Sequence, residues 1–177
     1  MRIIAGTWRG RAIEAPAGTA TRPTSDRARE GLFSMLASRL GSFEGLAVAD
    51  LYAGTGALGL EALSRGAARC TFVEKERAAL AALRRNIDRL GAGERAEIRA
   101  QPVEHVALGA CDLIFLDPPY GAGLAQPALE RAAAWLAPGG WIGLEAHGEA
   151  VAPPPGLAAI VERRFGKATL TLLRNAA

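Results

Sequence analysis

The sequence is poor in several residue types that define whole classes of protein. Among its 177 residues it has two cysteines and two histidines, and lysine stands only at positions 75 and 167. Two cysteines make no disulfide framework, so we expect a reducing compartment, the cytoplasm. Neither histidine has metal-ligand spacing with a cysteine, which indicates no metal site. No uncharged apolar run approaches membrane-spanning length, and "MRIIAGTWRG" lacks the apolar core of a signal peptide.

Positive charge comes almost entirely from arginine. The net charge of +3 allows an anionic partner without requiring one. Because the chain is also rich in alanine, coding bias contributes to the arginine excess, and the placement of each arginine carries more weight than their number. Half of the residues are apolar and 22% are charged. This composition, over this length, predicts one compact domain with a core and a small appendage.

The apolar pattern changes after the first forty residues. From there apolar strands alternate with helices, which predicts an α/β fold with a mostly parallel, doubly wound sheet. "LAAIVERRF" and "ATLTLLR" flank Gly166-Lys167 and predict an antiparallel hairpin that closes this sheet. Earlier, "RIIAG" and "RAIEA" predict a small β-hairpin, followed by a helix capped by Thr24 or Ser25. We therefore divide the chain into a small N-terminal extension, 1–40, packed on a main domain, 41–177.

Three acidic residues each end a predicted strand: Asp50, Glu74 and Asp117. Ligands of such sheets bind beyond the carboxyl ends of the strands, so we expect these residues around one crevice. In "DLYAGTGALG", Gly54, Gly56 and Gly59 match G-x-G-x-x-G, the motif of a dinucleotide site. Asp50 argues against that reading, because a carboxylate there repels a pyrophosphate and attracts an ammonium or sulfonium group. S-adenosylmethionine (SAM) carries both cations, and its carboxylate can lie near the helix N-terminus.

The second and third strands supply further candidates for the cofactor site. Glu74 can accept hydrogen bonds from both ribose hydroxyls; its alternative is an exposed surface glutamate. Gln101 either bonds the adenine edge or simply ends a strand before Pro102. The predicted cofactor-binding residues are Asp50, Tyr52, Ala53, Gly54, Thr55, Gly56, Glu74, Gln101 and Asp117.

The stretch "FLDPPY" predicts the reaction. Exocyclic amines on bases are poor nucleophiles because the nitrogen lone pair is delocalised, and methyl transfer from SAM builds positive charge on the nitrogen. Asp117 can accept one amino hydrogen and stabilise that charge, while the carbonyl of Pro118 accepts the other. Tyr120 can stack on a base swung out of its stack. The alternative is an ordinary proline-stiffened turn, but its place after a strand favours catalytic roles for these three residues.

With these residues placed, the sequence resembles the class I, Rossmann-like SAM-dependent amino-methyltransferases, and more narrowly the RsmD family of bacterial 16S ribosomal RNA guanine-N2 methyltransferases. The motifs are "RIIAGTWRGR", "RPTSDRAREGLFSML", "DLYAGTGALGLEALSRGA", "FVEKE" and "FLDPPY". The resemblance implies SAM binding by residues 50–56 and Glu74, amine binding by residues 117–120, and RNA contact by the N-terminal segment. Adenine N6 and cytosine N4 stay open as targets, because related enzymes share the D-P-P-Y motif.

The N-terminal arginines are the candidates for RNA contact. Arg9 and Arg11 flank a turn that we expect to be exposed, whereas Arg22 and Arg29 either touch RNA or bridge the segment to the crevice. Trp8 either packs on the main domain or stacks on a base. The predicted RNA-binding residues are Arg2, Arg9, Arg11, Arg22 and Arg29.

The expected partner is 16S rRNA, naked or within an assembling small ribosomal subunit, and we expect a monomer with no membrane or metal partner. Two rival functions are a nicotinamide-dependent oxidoreductase, favoured by the glycine motif, and a non-catalytic RNA-binding module. Asp50 and the D-P-P-Y stretch disfavour the first. The intact amine site disfavours the second.

Overall fold

The computed structural model describes residues 1–16 and 25–176, so Arg22 and Thr24 lie outside the described part. The strands are β1 Ala47–Leu51, β2 Arg69–Val73, β3 Ala96–Arg99, β4 Cys111–Leu116, β5 Leu136–Ala146, β6 Leu157–Phe165 and β7 Ala168–Asn175. The helices are α1 Asp26–Leu40, α2 Ala57–Ser64, α3 Arg77–Leu90 and α4 Ala125–Trp135. Two short 3-10 turns cover Gly93–Arg95 and Val103–His105.

The strands form one sheet in the order β3-β2-β1-β4-β5-β7-β6. The first five strands pair in parallel, and β7 pairs antiparallel with both β5 and β6. The predicted parallel sheet with a closing C-terminal hairpin is therefore confirmed. Because β1 and β4 are neighbours in the centre of the sheet, the loops that follow them meet at one edge.

Alternate side chains of each central strand feed two cores. Val48, Phe72 and Phe115 face α1, α2 and α3 in one buried cluster. Ile114 and Leu116 face α4 in a second buried cluster. Successive residues of a strand point to opposite faces of the sheet, so these continuous apolar runs belong to a sheet covered on both sides.

The N-terminal segment forms a single bridge, Arg2 with Ala12, instead of the two predicted strands. Its backbone groups are used elsewhere, because the N–H groups of Ile4 and Ala5 donate to Glu61 on α2. Ile3 and Ile13 are buried in the same core as α1, α2 and α3. The division into an extension and a main domain stays a prediction, since this segment shares the core of the sheet.

Two side-chain predictions in this region are decided by the structure. Ser25 caps α1, because its Oγ accepts a hydrogen bond from the N–H of Ala28 at 3.1 Å. Trp8 packs on the main domain: it is buried, and the guanidinium of Arg95 lies 5.2 Å from its ring centroid. In the described ranges, every helix falls short of the length and apolar content needed to cross a membrane.

Candidate active site

The glycine turn between β1 and α2 leaves open space at one residue and is tightly packed at another. A Cβ on Gly54, which has φ +57°, would meet no atom within 4 Å. A Cβ on Gly59 would lie 2.4 Å from the Phe72 ring and 2.7 Å from the Cys70 sulfur. Gly59 therefore permits close helix–sheet packing, whereas Gly54 keeps the backbone clear for a ligand above the turn. This open cradle fits the cofactor that the sequence predicts.

Asp50 lies beneath this turn and not in the open crevice where we expected its carboxylate. It is 1% exposed, and its Oδ2 accepts a hydrogen bond from the N–H of Gly59 at 2.9 Å. Burial raises the pKa of Asp50 to about 8, and the negative charge of Glu74 acts in the same direction. The carboxylate thus holds the first turn of α2, and its contact with a cofactor cation stays a prediction.

Tyr52 is strained between the strand and the glycines. Among the described residues it is the non-glycine residue with a positive φ, at 61°. Its side chain is half-buried, and burial raises the pKa of its phenol to about 12, with the negative charge of Glu104 adding to the effect. A bulky residue in this region costs about 1–3 kcal/mol and marks a functional turn. Ala53 and Thr55 are buried on either side of Gly54.

Glu74 binds the glycine turn to the start of α3. Its Oε2 accepts from the N–H of Gly54 at 2.8 Å, and its Oε1 accepts from Lys75 and Glu76 at 3.0 and 2.9 Å. A carboxylate has about four acceptor positions, so one stays available for a ribose hydroxyl. Gln101 follows β3 and is half-buried, and both of its predicted roles stay open.

The turn after β4 presents the three residues predicted to be catalytic. Asp117 is half-buried and Pro118 is buried, so both are held by the body of the sheet. Tyr120 is 74% exposed, which leaves a ring face open at the rim of the crevice. An open aromatic face beside two acceptors is the arrangement that a flipped base requires.

The structure adds two residues that the sequence reasoning did not select. Polar side-chain atoms of Asp117, Glu145 and His147 all lie within 4.8 Å of one another. Glu145 is 5% exposed, and its Oε1 lies 3.8 Å from His147 Nε2. The ring of Tyr120 meets the His147 ring edge-on, with centroids 6.1 Å apart. Glu145 lies at the end of β5, so the signal that selected Asp117, an acid at a strand end, was present for it too.

The N-terminal arginines divide into buried and exposed groups. Arg29 is 1% exposed, its Nη1 lies 3.4 Å from Glu61 Oε1, and its Nη2 donates to the carbonyl of Arg2 at 2.6 Å. This burial favours the alternative role of Arg29, bridging the segment to the main domain, and its RNA contact stays a prediction. Arg2, Arg9 and Arg11 are exposed. Arg2 donates to the carbonyl of Gly10, and Arg11 donates to that of Arg89.

The exposed turn that carries Arg9 lies far from the crevice in the topology of the sheet. The N–H of Thr7 donates to the carbonyl of Ser64, the last residue of α2. Trp8 packs on Arg95, which comes immediately before β3. Both contacts are at the edge where parallel strands begin, whereas Tyr120 follows the end of β4. The turn that carries Arg9 and the turn that carries Tyr120 therefore lie at opposite edges of the sheet.

The sheet order, the glycine turn after β1 and the Asp117-to-Tyr120 turn after β4 define a class I, Rossmann-like methyltransferase. A sequence profile of the family described as Conserved hypothetical protein 95 matches residues 1–174. The chain belongs to this family, which confirms the resemblance to the RsmD enzymes.

Relatives and solved structures agree with that assignment. The chain is 40% identical to ribosomal RNA small subunit methyltransferase D of Escherichia coli K12 over 148 residues, covering 82% of this chain and 71% of that protein. The Haemophilus influenzae Rd protein of the same name is 36% identical over 156 residues, covering 82% and 78%. The solved yhhF structure from Escherichia coli has a TM-score of 0.87 at 35% identity, covering 99% and 97%. A solved hypothetical protein from Thermus thermophilus has a TM-score of 0.80 at 32% identity, covering 97% and 98%.

Proposed function

We propose that this protein transfers a methyl group from SAM to the N2 amine of a guanine in 16S ribosomal RNA. The observation that carries the proposal is the pairing of β1 with β4. It sets the open glycine turn beside the Asp117-to-Tyr120 turn, so a methyl donor and an acceptor amine have adjoining sites. The names of the relatives, methyltransferases of small-subunit ribosomal RNA, support the substrate.

The cofactor's place follows from the glycine cradle. Gly54 leaves room above the turn, Glu74 offers an acceptor to the ribose, and Gln101 offers its amide to the adenine. When bound, SAM supplies an electrophilic methyl group. We propose that the predicted set forms the cofactor site, with Asp50 acting from beneath the turn: Asp50, Tyr52, Ala53, Gly54, Thr55, Gly56, Glu74, Gln101 and Asp117.

The amine's place follows from the turn after β4. Asp117 accepts one amino hydrogen and the carbonyl of Pro118 accepts the other, which aims the nitrogen lone pair toward the cofactor site. Developing positive charge on the nitrogen is stabilised by the Asp117 carboxylate. Tyr120 offers its exposed ring to the extruded base.

The proposal also covers the partner and its setting. Arg2, Arg9 and Arg11 are exposed and would contact RNA phosphates, whereas Arg22 belongs to the undescribed segment. We propose that the enzyme acts as a monomer without a metal, on naked RNA or on an assembling small subunit. Ribosomal RNA is made and processed in the bacterial cytoplasm, so we place the protein there.

The test is methylation of 16S RNA that lacks the mark, followed by nucleoside mass spectrometry. N2-methylguanosine is the expected product, and N6-methyladenosine, N4-methylcytidine or no product would contradict the proposal. Asp117→Ala should lower the rate by about two orders of magnitude or more, the usual cost of one preorganised electrostatic partner. The SAM affinity of Asp117→Ala is measured by calorimetry. Asp88→Ala, which removes a carboxylate at an exposed site on α3, is the control.

A further inference from the structure

The pair Glu145 and His147 lies against the proposed amine site, and the methyl-transfer step described above does not use it. Glu145 is a 5% exposed carboxylate at the end of β5, and β5 pairs in parallel with β4. His147 follows two residues later, and its side chain is 19% exposed. A nearly buried acid is costly unless the protein uses or pairs it. Here its neighbour within 3.8 Å is an imidazole that also faces the solvent.

Methyl transfer to an amine creates a proton that must leave. The amine nitrogen uses its lone pair to form the new bond to carbon, and the electron pair of the broken carbon–sulfur bond goes to sulfur. The nitrogen then holds one proton too many and a positive charge. A neutral methylated amine forms only when a base removes that proton. Asp117 touches the amine in the proposed function, so it is the first acceptor.

Asp117 needs a second acceptor if it is to begin the next turnover as a carboxylate. His147 can take the proton from Asp117 through one bridging water, because the polar atoms of the two side chains lie within 4.8 Å of each other. A partly exposed imidazole can then release the proton to water. Glu145 Oε1, 3.8 Å from His147 Nε2, is close enough to stabilise the charged imidazole and to favour one orientation of the ring, as a buried carboxylate does beside a catalytic histidine.

We propose that His147 is the proton acceptor for Asp117 and that Glu145 is the positioning residue that orients His147. The proposal rests on the proposed function, since it needs an amine at Asp117. Among the described residues, the titratable groups placed near His147 include Asp117 after β4, Glu145 on β5 and the phenol of Tyr120. The T-shaped contact with Tyr120 also links the acceptor to the ring that would hold the base.

The test compares His147→Gln and Glu145→Gln with two matched controls. His105→Gln changes the only other histidine, and Glu162→Gln changes an exposed carboxylate on β6. The methyl-transfer rate at saturating substrates, SAM affinity by calorimetry, RNA affinity, and melting temperature are measured for each protein. His147→Gln should lower the rate at least tenfold; complete loss of a general acid–base contribution costs about 10²–10⁴-fold. Both affinities should stay within twofold of the wild-type values.

The pH dependence distinguishes a proton acceptor from a structural residue. The dependence of the rate on pH should differ between the wild type and His147→Gln, whereas His105→Gln should keep the wild-type profile. Added imidazole should partly restore the rate of His147→Ala but not that of Asp117→Ala. Glu145→Gln should lower the rate less than His147→Gln does, because it alters the surroundings of His147 without removing the imidazole.

Three outcomes would overturn the inference. Unchanged rates with an unchanged pH profile in His147→Gln would do so, and so would a fall in rate that matches a fall in SAM or RNA affinity. Activity that is lost with a chelator and restored by Mn²⁺ would assign the three side chains to a metal instead. If the wild-type protein gives no methylated guanine, the proposed function fails first. If the wild type is active and the His147 and Glu145 variants keep its rate and pH profile, the proposed function stands and only this inference fails.

Discussion

The side-chain amide of Asn86 pairs with both backbone groups of Glu14. Its Oδ1 accepts from the N–H of Glu14 at 2.8 Å, and its Nδ2 donates to the carbonyl at 3.0 Å. The same Nδ2 donates to the carbonyl of Thr55 in the glycine turn at 3.0 Å. Asn86 is 1% exposed, so these bonds are shielded from water. One buried amide on α3 therefore joins the N-terminal segment to the proposed cofactor loop.

Replacing Asn86 with alanine should destabilise the fold and weaken SAM binding together. The change leaves the N–H of Glu14 and the carbonyl of Thr55 without these partners, and each unsatisfied buried group costs about 1–3 kcal/mol. Urea unfolding and calorimetric SAM titration measure the two effects, with Arg84→Ala on the exposed face of the same helix as the control. A destabilised variant with normal SAM affinity would show that Thr55 is held by other contacts.

Glu61 should matter more to stability than its buried partner Arg29. Its carboxylate accepts from the N–H groups of Ile4 and Ala5 and pairs with Arg29 and Arg65. Glu61→Gln leaves the Arg29 charge buried and poorly compensated, and breaking a buried pair costs about 3–5 kcal/mol. Arg29→Met should cost less, because three partners of Glu61 stay in place. Urea unfolding measures the loss of unfolding free energy in each variant. A loss in Arg29→Met equal to or larger than that in Glu61→Gln would contradict this prediction.

The stability of the protein should fall between about pH 4 and pH 8 because of Asp50. Its pKa rises from an ordinary 3.8 to about 8 in the fold, so the folded state binds the proton more tightly than the unfolded chain. Stability from this group is complete at low pH and is lost as the pH rises towards 8. Asp50→Asn keeps an acceptor for the N–H of Gly59 and carries no charge, so its stability should fall less over that range. Chemical unfolding at pH 5 and pH 8.5 measures the free energy of unfolding of both proteins. An equal change in that free energy between the two pH values would contradict the prediction.

Tyr120 should act through its ring face rather than its hydroxyl. Tyr120→Phe keeps the face and should retain most activity, whereas Tyr120→Ala should lose about 1–3 kcal/mol of base stacking. Single-turnover rates and RNA affinity, measured for both variants, distinguish a role of the ring face from a role of the hydroxyl. The side chain is 74% exposed, so neither change should lower the melting temperature much. Equal losses in both variants would assign the effect to the hydroxyl.

The double change Arg9→Ala with Arg11→Ala should weaken RNA binding and flatten its salt dependence. Each phosphate that an arginine no longer neutralises reduces the slope of log K against log salt by about 0.7–0.9. Arg163→Ala, at an exposed position on β6, is the matched control. SAM affinity should stay near the wild-type value. An unchanged salt slope would show that the turn at the far edge of the sheet does not touch phosphate.

The sheet and its crevice could be predicted because their signals are local. Apolar runs mark β1, β2 and β4, and the residues at their ends, such as Glu74 and Asp117, fall at one edge once the strands are parallel. The C-terminal hairpin is marked by its own turn residues, Gly166 and Lys167. Each of these inferences needs only the neighbouring residues of the chain.

The buried charged residues and the full set of side chains at the site could not be predicted, because their partners are distant in sequence. Glu61 reads as a surface residue of a helix, yet it is fully buried because the N-terminal backbone donates to it across more than fifty residues. The charge of Arg29 suggested contact with a phosphate, but in the structure the guanidinium pairs with Glu61, a residue distant in sequence. Glu145 was missed although it too is an acid near the end of a strand, and the pairing of β5 with β4 brings it to Asp117.

The position of β7 between β5 and β6 has a consequence for the order in which the chain is made. On a translating ribosome β5 emerges first and β6 next, yet β6 has no direct partner until Ala168–Asn175 follows. During that interval the open edge of β5 can pair with a strand of another nascent chain. A chain that ended before Ala168 would therefore keep an open edge on β5 and leave β6 without its partner strand.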